Sequence, residues 1–118
     1  MTIRRVYVIW NHPLFHESVR LLLKHPDIEW VGATTDFAVA REQIASLRPD
    51  TVLVEGLKDG LSPEVLEIMN SCVWKVLLLG LNLSDNTTRV YYSEQRIVGR
   101  ADDLLRLVLA RKHLRRMP

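Results

Sequence analysis

Arg48-Pro49-Asp50-Thr51-Val52-Leu53-Val54-Glu55-Gly56 is the stretch on which the fold turns. Its centre, Thr51 to Val54, is a short apolar run rich in β-branched residues, with a proline before it and a glycine after it. A run of that length and composition reads as a buried strand. Glu55 closes the run and places one carboxylate at the strand's C-terminal end.

Working outward, residues 3–10 form a second β-rich apolar run of strand length. Pro13 follows polar residues and opens a helix, where its missing N–H is not needed. Phe15, Val19, Leu22 and Leu23 recur at helical spacing, and Pro26 stops the helix. Residues 29–34 read as a strand. Asp36 can cap the next helix by accepting from its free first-turn N–H groups, and Val39, Ala40, Ile44 and Leu47 give that helix an apolar stripe. Beyond Glu55, Gly56 to Gly60 reads as a loop, and Ser62-Pro63 starts a short third helix. Val73–Leu79 is an almost wholly apolar run, which fits the centre of a parallel sheet covered on both faces. Strands and helices therefore alternate, which predicts an α/β layered fold with right-handed crossovers.

The pattern changes after residue 80. Leu83-Ser84-Asp85-Asn86 is followed by Thr87 to Tyr92, then Ser93-Glu94, then Gln95 to Val98. Two runs of β-propensity separated by two polar residues predict a hairpin. A final helix is expected from about Ala101 to Arg115, with Asp102 and Asp103 in its first turn and Arg111, Lys112, Arg115 and Arg116 in its last, as the helix dipole favours.

The 118 residues suit one domain with one core. With 47% hydrophobic and 25% charged residues, the chain has the composition of an ordinary folded domain and not of a disordered one. A net charge of +2 does not by itself imply a nucleic-acid partner. Cys72 stands alone, which excludes an intramolecular disulfide and fits a reducing compartment. No apolar stretch is long enough for a signal-peptide core or a bilayer span. These features predict a cytoplasmic protein.

The segment from Ile3 to Gly56 resembles the receiver domain of two-component response regulators. The resemblance lies in the first strand, Ile3-Arg4-Arg5-Val6-Tyr7-Val8-Ile9, in His12-Pro13-Leu14-Phe15 with the amphipathic run Val19 to Leu23, and in Arg48-Pro49-Asp50 ahead of an apolar strand. It implies a flavodoxin-like, doubly wound parallel sheet of about five strands over residues 1–118, a single domain with no output domain. The family's fourth helix would be missing or replaced by the hairpin near residues 87–98.

Receiver phosphorylation needs an acidic pair for Mg²⁺, an aspartate nucleophile, a hydroxyl and a lysine. Here the acidic pair aligns with Trp10 and Asn11. Trp10 cannot ligate, and Asn11 offers only a neutral amide oxygen, whereas Mg²⁺ prefers carboxylates among hard oxygen ligands. The nucleophile position holds Glu55, one methylene longer than aspartate, which displaces any in-line attack. The hydroxyl position falls near Gly80, and the lysine position near Ile97 or Val98, with Arg100 the nearest basic residue. All four roles are altered together, so the resemblance implies a degenerate receiver, a pseudo-receiver. Glu55 could stand as a permanent mimic of a phosphorylated aspartate. The favoured reading is a solvated strand-end carboxylate, since the hydroxyl and lysine that would sense the charge are absent.

Other chemistries find less support. His12 and His16 lie one helical turn apart, but no third metal ligand has motif spacing, so no metal site is expected. Cys72 reads as a buried, inert thiol. The glycines form no phosphate-binding pattern, and the basic tail reads as a solvated helix end. Neither a cofactor nor catalysis is expected. The function expected is signal transduction by protein–protein interaction, with Val90, Tyr91, Tyr92 and Ile97 as interface candidates in a homodimer or hetero-complex, no membrane role and no nucleic acid. Two alternatives stand beside it: a response regulator with an atypical phosphoacceptor, and a small nucleic-acid or nucleotide-binding module.

Overall fold

A computed structural model describes residues 3–56, 62–91, 95–99 and 104–109; the side chains of residues 90, 91, 95–99 and 107 lie outside that description. The elements are β1 (Arg4–Ile9), α1 (Pro13–Leu22), β2 (Ile28–Thr34), α2 (Phe37–Leu47), β3 (Thr51–Glu55), α3 (Pro63–Asn70), β4 (Leu77–Asn82), β5 (Thr87–Tyr91), β6 (Gln95–Gly99) and α4 (Leu104–Leu109). They form a flavodoxin-like α/β fold around one sheet of order β2-β1-β3-β4-β5-β6. The first four strands in that order pair in parallel. β5 and β6 are antiparallel to their neighbours, so the sheet has six strands and ends in a hairpin.

Strand alternation divides the core between the two faces. Val6, Val8, Leu53, Leu77, Leu79 and Leu81 point to one face, where Phe15, Val19 and Leu23 of the α1 segment and Leu104 and Val108 of α4 cover them. Tyr7, Ile9, Val52, Val54 and Leu78 point to the other, under Ala40 and Ile44 of α2 and Val65 and Ile68 of α3. Each such buried aliphatic side chain contributes about 1.5–3 kcal/mol relative to exposure. Both faces of β3 and β4 are covered, which is why these strands are apolar nearly throughout.

The caps follow the sequence. Asp36 Oδ1 accepts from the Ala38 and Val39 N–H groups at 2.8 and 3.2 Å, and Ser62 Oγ accepts from Val65 N–H. α2 closes on Arg48 in the left-handed region (φ 50°), which turns the chain into β3. The Arg48 guanidinium then sits 4.9 Å from the centre of the Trp74 ring.

One element lies elsewhere than the sequence suggests. The fourth strand runs over Leu77–Asn82, not 73–79. Its start is fixed by Leu77 N–H donating to Asp50 O at 2.9 Å and by the pairing of Leu77 with Thr51. Val73 is 90% exposed, and Trp74 is held outside the strand by its Nε1–H, which donates to Pro49 O. The hairpin is present as β5 and β6, joined to β4 by the turn Leu83–Asn86, with Asn86 at φ 55°. The hairpin stands where the resemblance would place a fourth helix. Of the expected final helix only Leu104–Leu109 is described; the rest of 101–115 lies outside the described residues.

Candidate functional site at the strand C-termini

In the order β2-β1-β3, the chain leaves β1 toward one side of the sheet and returns to its other side at β3. The C-terminal ends of β1 and β3 therefore flank a topological switch point, the place where open α/β sheets form ligand crevices. Trp10, Asn11 and His12 follow β1 there, and Glu55 ends β3 opposite them.

Glu55 is not the solvated carboxylate expected from the sequence. Its side chain is 15% exposed. Oε1 accepts from the backbone N–H of Asn11 at 2.8 Å and of His12 at 3.0 Å. Oε2 pairs with His12 Nδ1. A carboxylate has no proton to give, so Nδ1 is the donor, and the imidazole carries its hydrogen on the inner nitrogen. His12 is the N-cap residue of α1 and makes no side-chain cap bond to its own helix. Glu55 thus fixes the entry to α1 from a different strand, and its negative charge lies where the helix dipole favours it.

The neighbouring positions are committed elsewhere. Trp10 turns its ring toward His16, with centroids 4.9 Å apart. His16 in turn meets Trp30 edge-on at 5.5 Å, and Arg20 lies over Trp30 at 5.9 Å. The two histidines therefore serve different neighbours, and among the described residues no group of three His, Cys, Asp or Glu side chains could hold a metal ion. Asn11 contributes its backbone N–H. Gly80 lies within β4, paired with Val54, one step short of the mouth. Leu81 is the residue opposite Glu55, and the chain closes there tightly: Gly56 N–H donates to Leu81 O at 2.8 Å. A Cβ on Gly56 would come within 3.3 Å of that oxygen.

The mouth opens into a cleft of about 410 Å³ bounded by His12, Leu14 and Phe15 on one side and Leu83 and Ser84 on the other, with Glu55, Gly56 and Asn82 between. Asn82 is only 7% exposed. Its Oδ1 accepts from Ser84 N–H at 3.0 Å and from Ser84 Oγ–H at 2.7 Å, which shapes the turn out of β4. Sequence reasoning missed Leu14, Asn82, Leu83 and Ser84 as site residues. Asn and Ser two apart after an apolar run are an Asx-turn signal, but it was hidden by ending the strand at Leu79. Cys72 is half-buried near Ile68 O, and burial pushes its thiol pKa up, which suits an inert side chain. The side chains of Val90, Tyr91 and Ile97, and Tyr92 altogether, lie outside the described residues. No helix among the described residues is long and apolar enough to cross a membrane.

No protein-family model matches the chain, and a comparison with curated proteins finds no match. Among solved structures, the chain is similar to the crystal structure of a double-substituted form of the anti-anti-sigma factor PhyR from Bartonella quintana, with a TM-score of 0.56 at 17% identity. The match covers 68% of this chain and 34% of that one, so the chain spans about a third of PhyR's length. At that identity the likeness shows the fold alone: this chain has a receiver-like α/β fold.

Proposed function

We propose that this chain is a degenerate receiver-like domain that acts in signal transduction by protein–protein contact, without accepting a phosphoryl group and without catalysis. The observation that carries this reading is the engagement of Glu55. Its two oxygens meet two backbone N–H groups and the His12 ring, so the carboxylate at the nucleophile position works as a structural tie. A phosphoryl acceptor must present a free oxygen in line with the incoming phosphorus, and small displacements are costly. The acidic pair that would bring Mg²⁺ is replaced by Trp10 and Asn11. The lone cysteine supports a reducing compartment, and we place the domain in the cytoplasm.

Treatment with acetyl phosphate, or beryllium fluoride, in the presence of Mg²⁺ tests the reading. The intact mass should not change, and Mg²⁺ should cause no saturable amide shifts at Trp10, Asn11 or Glu55. A stoichiometric phosphoryl adduct that disappears in Glu55→Gln would overturn it and establish an atypical phosphoacceptor instead.

A further inference from the structure

We propose that the cleft between α1 and the β4–β5 turn binds a small primary amine with an apolar body. The proposal rests on the reading that this mouth performs no phosphoryl chemistry. The cleft's volume, about 410 Å³, falls in the lower part of the range of about 300–1,000 Å³ typical of small-molecule sites, and it lies at the sheet's switch point, where such sites form.

The walls set the body of the ligand. Leu14 is 76% exposed and Leu83 36% exposed, and both line the opening. Phe15 is buried behind them in the core. An alkyl or aryl group seated here would remove apolar surface from water on the protein and on itself.

The floor sets the charge. A helix start would ordinarily attract an anion. Here the Asn11 and His12 N–H groups are already taken by Glu55 Oε1, and the carboxylate itself would repel a second anion. The described lining contains no lysine or arginine, so Glu55 is its one permanently charged group. A carboxylate has about four acceptor sites. Three contacts are made among the described residues, which leaves capacity for one further donor. An ammonium is a compact cation able to supply that donor, whereas the planar guanidinium fork is suited to a carboxylate with both oxygens free.

The geometry therefore selects a free amine over a carboxylic acid or alcohol of the same length. The test records amide and methyl shifts of the full chain at pH 7 during titration with hexylamine, hexanoate and hexanol. Hexylamine should cause saturable shifts at His12, Leu14, Leu83 and Ser84, at least about tenfold tighter than hexanoate. Glu55→Gln should weaken hexylamine binding and reduce its preference over hexanol. Because Glu55 also holds α1, Leu83→Ser provides an independent variant that leaves that tie intact; it should weaken hexylamine about fivefold or more. Equal binding of hexanoate, saturable shifts confined to other surfaces, or no saturable shift up to the solubility limit would overturn the proposal. Absent amine binding with an unchanged mass under acetyl phosphate would sink this proposal alone, whereas a phosphoryl adduct would sink the reading beneath it.

Discussion

The ring of Tyr7 lies against Gly32, where a Cβ would come within 2.8 Å of its Cε2. Glycine is needed there to admit a large ring into the face covered by α2. Tyr7 is fully buried, and its hydroxyl donates to Gln43 Oε1. Burial lifts its pKa from the ordinary 10.0 to about 12. Between those values the unfolded chain loses the Tyr7 proton while the folded one keeps it, so stability is full below about pH 10 and falls as pH rises through 12. Two units correspond to a loss on the order of 2–3 kcal/mol. Tyr7→Phe gives up a hydrogen bond contributing about 1 kcal/mol at neutral pH but lacks the ionisation. Denaturant curves of the two proteins should therefore cross between pH 10 and 12; parallel curves would contradict the burial argument. This constraint was not legible in the sequence, where Tyr7 reads only as one member of an apolar strand. Glu55 was legible as a position, because it ends the run Thr51 to Val54. Its partners were not, since two of the three contacts are to backbone N–H groups whose direction no residue type reveals.

Glu55 also works at the scale of elements, tying β3 to the start of α1. Asn11 and His12 are exposed, so water can partly replace the lost acceptor. Glu55→Ala should accordingly cost about 1 kcal/mol, the ordinary cost of losing a cap. Glu55→Gln should cost less, because its amide oxygen can still accept from both N–H groups. Amide exchange at Asn11 and His12 should accelerate in the alanine variant, and unchanged exchange there would show that the tie is inert. The helix starts at Pro13 and Pro63 and the Asp36 cap were readable because each depends on residues adjacent in sequence. The β4 boundary was not. Val73 and Trp74 are as apolar as a strand requires, but the pairing of Leu77 with Thr51 sets the start, and that pairing is nonlocal. The strand also ends at Asn82 rather than Leu79, which moves the mouth from Gly80 to Asn82 and is why the site was only half visible. The hairpin was found because β-propensity and a short polar gap are local signals.

For the whole molecule, the sheet's two edges differ. β2 forms one edge, and its pairing with β1 slips between Trp30 and Gly32, where Val31 is left without a partner. Such a bulge twists an edge away from further pairing. β6 forms the other edge of the described sheet, and β5 and β6 pair with each other and with β4 only. The alternation of Val90, Tyr91, Tyr92, Ile97 and Val98 allows one chain to bury only part of that set. We therefore propose association through the hairpin and the final helix, and a closed two-fold homodimer requires only that one patch complement itself. Lysine at residues 91 and 92 would place charge on that patch. Analytical ultracentrifugation should show a dimer for the natural chain and a shift to monomer for Tyr91→Lys/Tyr92→Lys. A monomer at high concentration in the natural chain would remove the homodimer and leave a hetero-complex as the use of this edge. A variant that assembles as the natural chain does would remove the hairpin from the interface altogether, and would direct the search to the β2 edge in spite of its bulge.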